Sequence, residues 1–173
     1  MHTIFILYVT HTNVKKMNMS SVRFSANAST LKLGPLGGFL GFRLRMAHTA
    51  LYRDFTAAMS DLNLTQKQCA VLVLLDANPG VSQIEIAVAL GMDRASMMAL
   101  VDRLDQRNLI KRQRSKIDKR RQELCLNAQG VKILAEALVL INQHEERFLK
   151  KFTLEEQLHL KDDLKRLYES NLE

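Results

Sequence analysis

Apolar residues return at helical spacing over most of the chain, and polar caps and turn residues separate one stretch from the next. Over residues 34–60, Leu40, Leu44, Ala47, Leu51, Phe55 and Ala58 share one face, with Gly34-Pro35 at the start of the helix. Thr65-x-x-Gln68 has the form of a capping box and opens a helix with Cys69, Leu72 and Leu75 inward, before Asn78-Pro79-Gly80 forces a turn. Ser82-x-x-Glu85 opens a short helix with Ile86, Ala87 and Leu90 inward, ending at Gly91. Asp93 then caps a helix on which Met97, Val101 and Leu104 lie on one side. Two short helices joined through Gly91-Met92 form a helix-turn-helix pattern.

The period then changes. Leu109 to Arg112 and Leu124 to Leu126 suit two short strands, with the basic turn Ser115 to Arg121 between them. Asn127 caps a long helix carrying Val131, Leu134, Leu138, Ile141, Phe148 and Phe152 on one side. Thr153-x-x-Glu156 caps a last helix with Leu160, Leu164 and Leu167 inward. The predicted fold is mainly α with a small β-hairpin wing, a winged helix-turn-helix flanked by N- and C-terminal dimerisation helices. The expected organisation is a disordered extension over 1–33, a dimerisation helix over 34–62, the DNA-binding module over 63–127 and the C-terminal helices over 128–173. The terminal helices are too apolar on one face to stand alone, which implies a homodimer. Gly37-x-x-x-Gly41 would let another helix approach closely, and it follows no strand, so it is not a nucleotide loop.

Charge sharpens this picture once it is located. The chain carries a formal net charge of +7. From Arg94 to Arg121 there are ten basic residues against Asp102, Asp105 and Asp118, so this window holds the whole imbalance and the rest of the chain is neutral. A basic run is often only a solvated face. Carried by a helix-turn-helix and its hairpin, it points to a nucleic-acid backbone.

Other chemistry is thin. No H-E-x-x-H, P-loop or G-x-S-x-G motif occurs, and no Cys/His cluster has metal-ligand spacing, so the sequence implies no enzyme, cofactor or metal. His48, His144 and His159 fall on separate predicted helices and read as surface or packing residues. Cys69 and Cys125 form no C-x-x-C pair, which fits a reducing, cytoplasmic setting. Cys69 falls near an inward face, where a thiol is inert, and Cys125 lies in the second strand; a redox role for either stays open. Ile4 to Val9 is far shorter than the roughly 20 residues that span a bilayer. No basic segment precedes it, so it does not read as a signal peptide, and no membrane partner is expected. Residues 1–33 lack a helical period, and Met17 and Met19 are alternative starts.

The segment Asp118-Lys119-Arg120, followed by Leu124-x-Leu126-Asn127-x-x-Gly130, resembles the wing pattern D-x-R…L-x-L-T-x-x-G of the MarR family. Leu90 to Ser96 and Leu100 to Leu104 are similar to the family's recognition helix. The resemblance covers residues 34–170, and its one departure is Asn127 in place of Thr, an equally good cap. It implies a homodimer on a pseudo-palindromic operator, commonly a repressor that leaves DNA when a small aromatic or phenolic molecule binds. It also implies that Arg120 reaches the minor groove while Asp118 orients a basic neighbour.

With Met97, Val101 and Leu104 inward, Arg94, Ala95, Ser96, Met98 and Ala99 occupy the outer, N-terminal side of the recognition helix and would enter the major groove. Arg94 suits guanine acceptors or a phosphate, Ser96 is a tolerant donor or acceptor, and Met98 with Ala95 suits a thymine methyl. Arg103 and Arg107 would meet phosphates or solvent. Arg112, Arg114, Lys116 and Lys119 would neutralise phosphates and set the salt dependence. Arg45, His48 and Tyr52, at i, i+3 and i+7, share a helical face suited to an aromatic acid or phenol. Two competing readings keep the fold: a protein that coats DNA without sequence preference, and a winged helix used for protein contact.

Overall fold

The computed structural model describes residues 31–115, 119 and 121–169, and the chain divides into two units, residues 1–42 and 43–173. The extension expected over 1–33 lies almost wholly outside the described residues.

The described part of the first unit is a short 3-10 helix, Gly34–Gly38, and the first residues of helix α1 (Leu40–Ala58). The single helix expected over 34–60 is therefore interrupted. Phe39 is extended, with ψ 128°, and its N–H caps the carbonyl of Leu36. Pro35 can start a helical turn, but the paired Gly37 and Gly38 weaken its continuation by about 1 kcal/mol each relative to alanine.

In the second unit, the remainder of α1 is followed by α2 (Gln66–Ala77), α3 (Gln83–Ala89) and α4 (Arg94–Gln106). Strands β1 (Ile110–Arg114) and β2 (Gln122–Leu126) come next, then α5 (Ala128–Leu149) and α6 (Leu154–Glu169). The expected caps form. Thr65 and Ser82 make complete capping boxes with Gln68 and Glu85, and Thr153 exchanges the same pair of bonds with Glu156. Asp93 accepts from Ser96 N–H at 2.9 Å, and Asn127 from Gly130 N–H at 2.9 Å. Helix α3 ends at Gly91, whose φ of +58° suits glycine, with Met92 N–H reaching back to the Ala87 carbonyl.

The strands pair antiparallel from Ile110 opposite Leu126 to Arg114 opposite Gln122. Each runs two residues further toward the turn than its apolar residues suggested, because the ladder continues through polar side chains. Val81, in the loop before α3, bridges to Leu124 on the other side of β2, so the hairpin is tied to the helices by backbone hydrogen bonds as well.

One core joins these elements: Phe55, Met59, Val71, Leu72, Leu75, Ile86, Met97, Val101, Leu104, Ile110, Leu124, Leu134 and Ala137 are among its buried members. The inward positions expected on α2, α3 and α4 are buried, apart from Leu90, which packs on the edge of the core. The expected inward faces of the outer helices are covered only in part within one chain: Phe55 and Leu134 are buried, whereas Leu40, Leu44, Val131, Leu138, Leu160, Leu164 and Leu167 are exposed, and α6 buries no residue.

A polar node fastens α1 to α5. His144, only 4% exposed, places Nδ1 2.6 Å from Asp54 Oδ2, which also accepts from Arg147 Nη2 at 2.6 Å. Phe55 and Phe148 pack edge-on against the His144 ring. The Arg147 guanidinium, then His144, holds the Asp54 carboxyl below its usual range.

Two outcomes follow for stability. A Cβ added at Gly130 would lie 1.9 Å from the Leu109 carbonyl oxygen, a backbone atom that cannot swing away. Gly130→Ala is expected to lower unfolding free energy by about 3 kcal/mol in urea titration, at the upper end for overpacking; a loss within error would contradict this packing. A carboxyl with a depressed folded-state pKa contributes stability above its unfolded value and loses it as pH falls through the folded one. Asp54→Asn is therefore expected to be less stable at neutral pH, with the gap to the parent protein narrowing below about pH 4. A gap unchanged down to pH 2.5 would exclude this role for Asp54.

Candidate nucleic-acid interface

The rotation of α4 follows from its buried row. Met97, Leu100, Val101 and Leu104 face the core, which leaves Arg94, Ala95, Ser96, Met98 and Ala99 exposed on the opposite side of the first two turns. Met98 is 53% exposed although it is apolar, and the two alanines beside it keep the surface low enough for a base edge to approach. The helix N-terminus supplies partial positive charge at the same end as Arg94. Hydrogen bonds from the Ser96 hydroxyl and backbone N–H hold the Asp93 carboxyl below its usual range, so the cap stays ionised.

The basic window separates into two groups. Arg94, Arg103, Lys111, Arg114 and Lys119 are exposed and make no ion pair among the described residues. Three other arginines are held by the protein itself. Arg107 donates to the carbonyls of Asn63 at 2.7 Å and Leu62 at 2.8 Å, closing the loop after α1. Arg121 pairs with Glu85 at 2.7 Å, joining the turn end of β2 to the start of α3. Hydrogen bonds from Ser82 are the main reason the Glu85 carboxyl sits below its usual range, and Arg121 adds to them.

Arg112 is the third. It bonds to Asp102 and lies 3.0 Å from Asp105, both on α4. Arg112, expected at phosphates, and Arg107, expected at phosphate or solvent, are both occupied by internal partners. The strand period explains Arg112. Ile110 faces the core, so position 112 falls on the same inner side, opposite Leu124. An arginine there covers apolar surface with its stem and needs an acidic partner for its head. Asp102 and Asp105 were counted in the sequence only as offsets to net charge. Lys116, Asp118 and Arg120, between β1 and β2 in sequence, lie outside the described residues.

On α1, Arg45, His48 and Tyr52 are exposed, and the His48 and Tyr52 rings stack at 5.9 Å, so the expected common face exists. None of the three lines the open concavity of about 670 Å³ along α5 and the start of α6, whose walls include Asn142, Glu145, Arg147 and Gln157. Cys69 is buried, and burial pushes its thiol up to about 11, which keeps it protonated and unreactive; Cys125 is half-buried. Among the described residues no group of His, Cys, Asp or Glu could hold a metal ion, and no helix is long and apolar enough to cross a membrane.

Comparison with known proteins agrees with this geometry. The sequence profile of the MarR family matches residues 60–121, from the end of α1 to the turn of the hairpin. A protein of Thauera aromatica, named as a transcriptional regulatory protein for the hcr operon, is 32% identical over 151 residues, which are 86% of this chain and 91% of that protein. Among solved structures, the transcriptional repressor CouR bound to a 23-mer DNA duplex superposes with a TM-score of 0.77 at 37% identity, over 81% of this chain and 99% of that one. CouR bound to p-coumaroyl-CoA gives 0.74 at 35% identity, over 80% and 97%. A helix-turn-helix with a basic outer face and a hairpin braced beside it, on a chain this similar over nearly its whole length, places the protein in the MarR family of transcriptional regulators.

Proposed function

We propose that the protein is a ligand-responsive repressor that binds a pseudo-palindromic operator as a homodimer. The observation that carries this is the outer row of α4. Arg94, Ala95, Met98 and Ala99 stand opposite a fully buried row, so a cation, two small residues and an exposed thioether are presented together. Arg94 offers two parallel donors to guanine, Ala95 and Met98 give apolar contact to a thymine methyl, and Ser96 accepts or donates. Arg103, Arg114 and Lys119, with Lys116 and Arg120 from the segment between the strands, supply phosphate contacts and a minor-groove arginine. Asp118 would orient one of these cations.

Dimerisation follows from the exposed apolar residues of α1 and α6, since an amphipathic helix that buries nothing within its own chain needs a partner. Two copies present two recognition helices to successive major grooves. Relatives that bind p-coumaroyl-CoA in the solved state suggest an aromatic acyl thioester or aromatic acid as effector. The face formed by Arg45, His48 and Tyr52 has the groups for it: a bidentate cation for a carboxylate or phosphate, and two rings to stack or bond a phenol.

Duplexes enriched by the protein from a random-sequence pool, compared with a scrambled control by fluorescence anisotropy, test the reading. The selected duplex should bind about a thousandfold more tightly or better. Arg94→Ala is expected to reduce that affinity by about 10- to 100-fold. Equal binding to both duplexes would favour a coating protein, and no binding to any duplex would favour a protein-contact module. For the effector, p-coumaroyl-CoA and simple aromatic acids are titrated into the complex. Release of DNA is expected, with Tyr52→Ala needing about tenfold more effector while binding DNA as the parent does. Tyr52→Ala that responds unchanged would remove that face from the effector site.

A further inference from the structure

The hairpin and the recognition helix meet DNA in different grooves, so their relative position matters as much as the contacts each makes. One side chain joins them directly. Arg112, at the centre of β1, is bonded to Asp102 and lies 3.0 Å from Asp105, two positions on the last turns of α4. With 3.6 residues per turn, Asp102 and Asp105 continue the side of the helix that carries Arg94 and Met98. The arginine is mostly covered, its side chain 25% exposed, because the strand's alternation turns position 112 toward Leu124 and α4.

We infer that Arg112 is a positioning residue for operator binding: it fixes the wing against the outer face of α4, and it is not itself a phosphate contact. The inference rests on the DNA-binding reading. Three features support it over a phosphate role. The covered edge of the guanidinium is already directed to carboxylates on α4: Nη2 bonds Asp102, and Nε, which makes no hydrogen bond, lies 3.0 Å from Asp105. The two carboxylates outnumber the one cation, so the cluster has a local charge of −1 and does not attract a phosphate. The planar head turns Nη2 and Nε toward two carboxylates from one edge, which a point charge cannot do, so the link resists rotation of the hairpin as well as its departure.

The two roles predict opposite signs. Asp102→Asn/Asp105→Asn removes two negative charges beside the DNA-facing side of α4. If Arg112 served phosphates, releasing it and losing the acids would tighten binding to any duplex. If it positions the wing, affinity for the selected duplex falls by about tenfold, equivalent to about 1.4 kcal/mol. Binding to scrambled duplex meanwhile holds or rises, and the ratio between the two collapses.

Anisotropy with the selected and scrambled duplexes reads both affinities, after circular dichroism and thermal melting establish that each variant is folded at the assay temperature. Arg112→Gln should give the same loss of ratio, and combining it with the two asparagines should add no further loss, as a shared interaction requires. Arg112→Lys keeps the charge without the fork and is expected to fall between Arg112→Gln and the parent. The acidic pair is only half-buried and its replacements are close in size, so those variants report even if Arg112→Gln melts early. Undiminished or tighter binding of the selected duplex by Asp102→Asn/Asp105→Asn overturns the inference, as do fully additive losses. A parent protein that enriches no sequence from the pool overturns the DNA-binding reading and the inference together, whereas enrichment with an unaltered ratio in the variants overturns the inference alone.

Discussion

The burial of one row of α4 governs the remainder of the interface. Met97, Leu100, Val101 and Leu104 lie against α2, α3 and β1, and three of the four are wholly removed from solvent. Burying four such side chains contributes on the order of 10 kcal/mol, comparable to the whole net stability of a small domain. The helix therefore has no freedom to rotate about its axis. Because that rotation is fixed, the identity of the outer row is fixed too: the residues offered to a major groove are decided by packing on the far side of the helix.

Charge is deployed in two ways around that helix. Some cations are presented outward, where they meet solvent or a polyanion. Others close the module internally: Arg107 satisfies loop carbonyls after α1, Arg121 reaches the capping carboxylate of α3, and Arg112 bonds acids on α4. Exposed pairs of this sort add little to stability, about 0–1 kcal/mol. Their effect is geometric. Together with the backbone bridge from Val81 to Leu124, they hold both strands of the hairpin to the helices, so the wing emerges from a braced base. The same division appears in α1 and α5, where buried His144, half-buried Asp54 and exposed Arg147 make a polar link between the two helices.

The order of elements was legible in the sequence because caps and period agreed: Thr65, Ser82, Asp93, Asn127 and Thr153 each mark a helix start that the structure contains. The start of α1 was less legible, since Gly34-Pro35 opens a 3-10 turn that the following glycines end. On α4 the outer row could be assigned directly from its apolar complement. The arginines could not be sorted, because net charge along a chain carries no information about pairing across space. For Arg112 a signal was present: Ile110 is an inward strand residue, and two positions on, an arginine must find an acid. For Arg107 and Arg121 the partners lie 36 or more residues away in sequence, in a loop and a helix cap, and no local pattern announces them. The polar node at His144 was hidden in the same way, its partner Asp54 being 90 residues distant.

Guanine N7 protection from methylation on a selected duplex tests most directly whether two copies of α4 enter DNA as described. The account predicts protection in two major-groove patches whose centres are about 10 base pairs apart on one face of the helix, or a whole multiple of that. It also predicts loss of both patches in a variant with an altered outer row of α4. A single patch, or none in a complex that nonetheless binds tightly, would contradict it.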